Sequence, residues 1–213
     1  MIYAGEQFGD EFFWDPIRDA GKSRLLFLAR FLGEPRRLFE FETSQYELSG
    51  RLGRHIVPEA LRHQSVSDRY RDTPYARHAM MEAGNKLKAE SVLLHLDRIH
   101  CSGKDVDAHW EIRGPNSQRE HLVPVVSHLN SALVAAGLPA GGGHSPHISI
   151  CYGGATPLAR DLHFRTIPWS IDEIELVVGG GRPYAYETLG RWVLEPERGR
   201  VFQGALFSTD TNI

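Results

Sequence analysis

His63-Gln64-Ser65-Val66 and His147-Ile148-Ser149-Ile150 share one pattern: histidine, a spacer, serine, then a β-branched apolar residue. In a strand, residues i and i+2 point to one face. Each tetrad then aims an imidazole and a hydroxyl together, with Gln64 and Val66, or Ile148 and Ile150, on the opposite face. Two such strands facing each other across a cleft bring two acid/base groups and two hydroxyl donors to one place. That set suits in-line attack on a phosphodiester: one imidazole accepts a proton from the nucleophile and the other delivers one to the leaving oxygen. The hydroxyls of Ser65 and Ser149 would donate to the non-bridging phosphate oxygens, where charge builds in the transition state. Such an arrangement needs neither metal nor cofactor, and none is expected. Imidazole titrates near pH ~6.5, so either histidine can begin in either form; which is acid and which is base stays open. Serine and threonine number 21 of 213 residues and histidine 11, so His-x-[Ser/Thr] arises about once by chance; three occur, counting His100-Cys101-Ser102. On spacing alone, ordinary half-buried strand histidines fit the tetrads as well.

Several neighbouring segments narrow the choice. Arg24-Leu25-Leu26-Phe27-Leu28 reads as an opening strand, and Ile56-Val57-Pro58-Glu59 precedes the first tetrad. Leu94-His95-Leu96-Asp97-Arg98-Ile99, followed by Trp110, reads as a strand pair. Ser145-Pro146 opens the second tetrad, 84 residues after the first, and Ile167 to Val177 closes the series. In this order and spacing the chain, over roughly residues 23 to 196, resembles the 2H phosphoesterase superfamily. The likeness is greatest to its bacterial 2′–5′ RNA ligase and RNA 2′,3′-cyclic phosphodiesterase branch. The resemblance implies a bilobal α+β fold: two pseudo-symmetric lobes with mostly antiparallel sheets flanking a central cleft, helices outside. It implies His63, His147, Ser65 and Ser149 as catalytic residues. It also implies hydrolysis of a 2′,3′-cyclic phosphate, with RNA 2′–5′ ligation as the reverse chemistry. The expected partner is an RNA 3′ end or a cyclic nucleotide. The rivals are a small-molecule cyclic nucleotide or ADP-ribose-type cyclic phosphodiesterase and a non-catalytic RNA or nucleotide binder.

One departure matters. Related ligases often carry a basic residue soon after the second motif, where this chain has Cys151-Tyr152-Gly153-Gly154. A cation must come from elsewhere, such as Arg160, Arg182 or the Arg69-Tyr70-Arg71 segment. Arg182 with Tyr184, and Arg69 and Arg71 with Tyr70, could hold a phosphate and stack a base. A turn followed by strand residues, and a solvated loop, are the plainer readings of those two segments. The Gly141-Gly142-Gly143 and Gly179-Gly180-Gly181 runs are not phosphate-binding P-loops, because no Gly-Lys-[Ser/Thr] follows. His95, Asp97, His100 and Cys101 match no standard zinc spacing.

The formal charge of −3 argues against a sequence-blind nucleic-acid coat, which would be basic, but permits a local patch for a short RNA end. Two cysteines do not make a disulfide framework, and Cys151 reads as a buried strand residue. No apolar run reaches bilayer length, so no membrane partner and a cytoplasmic location are expected.

The supporting elements follow from periodicity. Residues 1–22 form an extension that Phe8, Phe12, Phe13 and Trp14 could dock; residues 23–196 form the domain; residues 197–213 form a polar tail, with Val201-Phe202 and Leu206-Phe207 as docking candidates. Strands are expected at Arg24–Phe31, His55–Val57, His63–Val66, Ser91–Ile99, His109–Arg113, His147–Tyr152, Trp169–Val178 and Tyr184–Leu194. Helices are expected at Glu34–Leu52, on a stripe including Leu38 and Phe41, at Tyr75–Leu87 and at Glu120–Ala136. The last should start a few residues late so that Pro124 falls in its first turn. Ser67–Pro74 reads as a loop.

Overall fold

Arg24–Arg30 forms β1, whose five inner residues are all buried, as an unbroken apolar run in mid-sheet requires. A computed structural model describes the chain at residues 11–13, 15–48, 52, 55–103, 107–153 and 156–196. Phe8, Trp14, the glycines at 50 and 53, the Lys104-Asp105 stretch, Gly154 and the tail beyond 196 lie outside the described residues. β1 pairs antiparallel with β3 (His63–Ser65) and β4 (Tyr70–Arg71), and on its other side with β9 (Glu173–Gly180). β10 (Ala185–Val193) extends β9 at the edge. A second five-stranded sheet runs in the order β2 (His55–Ile56), β7 (Ile148–Tyr152), β6 (His109–Arg113), β5 (Val92–Ser102), β8 (Leu162–Ile171). Every ladder between these strands is antiparallel. The molecule is thus a bilobal α+β fold.

Among the described residues, three helices cover the sheets. α1 (Gly33–Thr43) packs on β8, α2 (Pro74–Asn85) on β10 and on α3 (Arg119–Ala135), and α3 on β5. Thr73 caps α2, its hydroxyl accepting from the Ala76 amide at 3.1 Å, and Pro74 occupies the first turn, where its missing N–H costs nothing. α3 ends in a Schellman turn: Gly137 has φ 85°, Leu138 N donates to Leu133 O, and Gly137 N donates to Val134 O.

Four sequence expectations change. The helix expected to reach Leu52 stops at Thr43 and gives way to a 3-10 turn at Ser44–Tyr46. There the Thr43 and Ser44 hydroxyls bond the carbonyls of Phe39 and Phe41, competing with helix continuation. Its buried ring is Phe39, while Phe41 is 74% exposed. α3 starts earlier than Pro124 allows in a first turn, because a 3-10 turn at Asn116–Gln118 leads into it. Burial of Leu122, Val125, Val126, Leu129 and Leu133 outweighs the one backbone bond lost at the proline, and Val134 faces solvent. The strand expected over Trp169–Val178 is two strands that break at Asp172 and belong to different sheets. The Ser67–Pro74 loop contains β4.

Candidate active site

Strand alternation places the chemistry. In β1, Arg24, Leu26, Leu28 and Arg30 share one face, and the ladder sets Leu28 opposite Ser65 and Arg30 opposite His63. Leu26, Leu28 and Val177 form a small apolar floor, with Tyr186 of β10 packed on it. His63 stands above, its ring edge-on to Tyr186 at 5.3 Å between centroids. In the other sheet Glu111 lies opposite Ser149, so Glu111, Ser149 and His147 share a face, while Ile148 and Ile150 are buried on the other.

The two histidines have the same backbone frame. His63 Nδ1 lies 2.7 Å from the carbonyl of Leu61, and His147 Nδ1 lies 2.9 Å from the carbonyl of Ser145, in each case two residues upstream. Each Nδ1–H therefore donates to the main chain, and each neutral ring keeps its lone pair on Nε2. Their surroundings differ. Burial lowers His63 from the usual imidazole value of 6.5 to about 4, with Arg69, Arg24 and Arg30 adding repulsion that the Leu61 carbonyl only partly offsets. His147 faces an anion instead: Nε2 lies 3.8 Å from Oε1 of Glu111. Glu111 is nearly buried and is held by Arg113 at 2.6 Å and His109 at 3.2 Å.

Gln64 joins the motifs. It is fully buried, and its carboxamide oxygen accepts from the His147 amide at 2.6 Å. Its nitrogen donates to the carbonyls of Ser65 at 2.8 Å and Ser145 at 3.4 Å. The spacer of the first tetrad thus grips the backbone of the second, and it touches the same Ser145 carbonyl that orients His147.

A cavity of about 470 Å³ opens between the motifs, lined by Ser65, Ser67, Asp68, Arg69, His144 and His147, with Phe13 and Pro16 from the extension as a wall. His63 and Ser149 stand beside it as the strand-face neighbours of Ser65 and His147. The Arg69 side chain is largely buried, and its Nε has no hydrogen-bond partner among the described residues. An unpartnered buried guanidinium N–H beside two motif residues is prepared for an anion. Asp68 pairs with His144 at 3.2 Å and accepts the Gly142 amide at 2.8 Å, which fixes the first glycine run against this wall. A larger cavity of about 630 Å³, lined by Lys88, Val92, His95, His121 and His128 among others, holds no motif residue.

The other expected substrate-binding residues separate. Tyr70 is a core residue: it is fully buried, donates to Pro139 O at 2.7 Å and stacks on Phe13. Arg71 turns away to Asp19 at 3.1 Å. Neither lines the cavity: pairing with Leu25 sends the Tyr70 ring into the core, and Asp19 holds the Arg71 side chain. Arg182 and Tyr184 line a third cavity beyond Tyr186, and Arg160 is exposed away from all of these. His95 and His100 diverge, the latter to Asp161 at 2.8 Å, and no three His, Cys, Asp or Glu among the described residues converge as metal ligands. Both cysteines are free thiols. No described helix is long and apolar enough to cross a membrane.

Sequence reasoning missed Gln64 and Glu111. Gln64 is a polar residue where the second tetrad has an isoleucine, on a face expected to be apolar. His109, Glu111 and Arg113 fall on one face of a strand whose other face is Trp110 and Ile112. Both mismatches were visible signals of a buried polar site.

No protein-family model and no curated protein matches the chain. Solved structures do. Apo LigT from E. coli superposes with a TM-score of 0.64 at 17% identity, covering 83% of this chain and 99% of that one. LigT complexed with 3′-AMP gives 0.63 at 16%, covering 81% and 98%. TT0787 of Thermus thermophilus gives 0.60 at 16%, covering 82% and 99%. What these chains share is architecture: this protein has the LigT-like bilobal fold.

Proposed function

We propose that the protein is a metal-independent phosphodiesterase of the 2H type that opens 2′,3′-cyclic phosphates on RNA ends or nucleotides. The observation that carries this reading is the paired frame: two histidines, each with Nδ1 tied to the carbonyl two residues upstream, each followed on its strand face by a serine, with Arg69 beside them. The 3′-AMP complex of LigT supports a nucleotide substrate.

The surroundings support a different role for each ring. His63, kept neutral by burial and by its arginine neighbours, takes a proton on Nε2 from the attacking water. The bound phosphodiester anion offsets the arginines and makes the ring a better base at that moment. Water oxygen bonds to phosphorus as the bond to the 2′ or 3′ oxygen breaks. His147, beside Glu111, gives an Nε2 proton to that leaving oxygen. Ser65, Ser149 and Arg69 hold the non-bridging oxygens. With a ribose hydroxyl in place of water, the same steps form a 2′-linked phosphodiester when the 3′ oxygen leaves.

The test is hydrolysis of the four 2′,3′-cyclic nucleotides in EDTA by the wild type and by His63→Ala and His147→Ala. Turnover that survives EDTA and is lost in both variants supports the reading. A rate unchanged in His147→Ala sinks it.

A further inference from the structure

We propose a second anion subsite: the cavity of about 460 Å³ lined by Lys22, Arg24, Arg182 and Tyr184 binds a second phosphate of the substrate. The inference rests on the phosphodiesterase reading and narrows the substrate to a nucleotide or RNA end that carries a phosphate besides the scissile one.

Among the described residues, three cations line this cavity and no carboxylate does, in a chain whose net charge is −3. Such local concentration of one sign raises the local density of the opposite ion. Asp19, the acid paired with Lys22, has its side chain 2% exposed, and its one charge is shared between Lys22 and Arg71, each at 3.1 Å. Arg24 is fixed in place, its Nε donating to the Tyr184 hydroxyl at 3.0 Å.

The second glycine run builds the space. A Cβ at Gly179 would overlap the Tyr184 hydroxyl and the Tyr186 ring, and Gly181 has φ 87°. Glycine therefore lets both tyrosines lie back across β9 and lets the turn expose its main chain to the cavity. This explains a run that resembles a phosphate loop in composition but lacks its lysine.

The cavity also adjoins the histidines. Tyr184 meets Tyr186 ring to ring at 5.5 Å, and Tyr186 meets His63 at 5.3 Å. Arg24 bounds the cavity and is near enough to His63 to repel its proton. The proposal places a nucleotide's cyclic phosphate at the histidines and its 5′-phosphate among the cations.

The experiment compares adenosine 2′,3′-cyclic phosphate with its 5′-phosphorylated form. Affinities are measured by calorimetry at low salt on the His147→Ala protein, so that neither ligand is consumed. The 5′-phosphate should tighten binding by about 10-fold, the worth of one charge-assisted contact. That ratio should fall toward one in Arg182→Ala, and further with Lys22→Ala added. Both side chains project into solvent, so the fold should survive both changes. A ratio near one in the parent, a ratio that persists in the double variant, or no binding of either ligand overturns the subsite. Separately, absence of wild-type turnover on both compounds overturns the phosphodiesterase reading, and the affinity ratio still decides the subsite.

Discussion

At the first motif the imidazole of His63 is half-buried, packed against Tyr186, with Arg24, Arg30 and Arg69 nearby. At the second, His147 lines an open cavity and looks at Glu111, an acid that Arg113 and His109 hold in place. The main-chain geometry is the same in both, down to the carbonyl two residues upstream. A repeated backbone frame therefore does not make the two histidines equivalent. The frame sets which nitrogen is presented, and the neighbouring sheet face sets what charge that nitrogen meets. Under the proposed mechanism, this difference lets one short motif used twice supply a base and an acid.

The comparison breaks most visibly if either ring is removed. His63→Ala and His147→Ala should each lower kcat by about 10³-fold, the usual worth of a positioned acid or base; a loss confined to one variant would show that only one ring acts. Acid should separate the rings next. His63 binds its proton near 4 in the folded chain and near 6.5 when unfolded. Between those values the unfolded state takes up the proton and the folded state does not, so stability is full above 6.5 and declines as pH falls toward 4. The whole loss is about 3 kcal/mol. Urea midpoints at pH 7.5 and 4.5 for wild type and His63→Gln check this: the variant should lose less, and equal losses would mean that the ring is not held neutral.

A third contrast lies between two neighbouring arginines. Arg69→Ala should raise KM by roughly 30-fold by removing a buried guanidinium from the phosphate, as loss of a charge-assisted bond does. Arg71→Ala should change stability rather than KM, since Arg71 serves Asp19. Similar KM values for the two would place the phosphate elsewhere. The smallest effect is expected at the link between the motifs. Gln64→Leu leaves the His147 amide without its acceptor and should lower kcat by about 10-fold with KM changed less, because the ring is misaimed rather than lost. A kcat equal to wild type would make Gln64 a packing residue.

Much of this was legible beforehand, and the parts that were not share a cause. The His-x-Ser tetrads, the buried opening strand and the α+β class follow from periodicity, which is a property of neighbours in sequence. Tyr70 defeats the same method: an aromatic between two arginines looks like a binding loop, yet ladder pairing with Leu25 turns its ring into the core. The strand break at Asp172 is hidden for a similar reason, since both flanking segments are apolar and only the sheet to which each belongs tells them apart. Gln64 and Glu111 are intermediate. Their placement as polar residues on apolar-looking strand positions is readable, while the partner across the lobe is not.

The route of the chain through its two sheets bears on how the molecule comes apart. β1 lies in one sheet, β2 in the other, β3 and β4 back in the first, β5 to β8 in the second, and β9 and β10 in the first again. Neither lobe is a continuous stretch of sequence, so a scission between β2 and β3 or between β4 and β5 divides both sheets. Contacts this distant along the chain must close together, which makes for slow assembly and for loss of both lobes in one cooperative event. Both motif strands belong to this interleaved unit, β3 and β7 touching each other across the lobes.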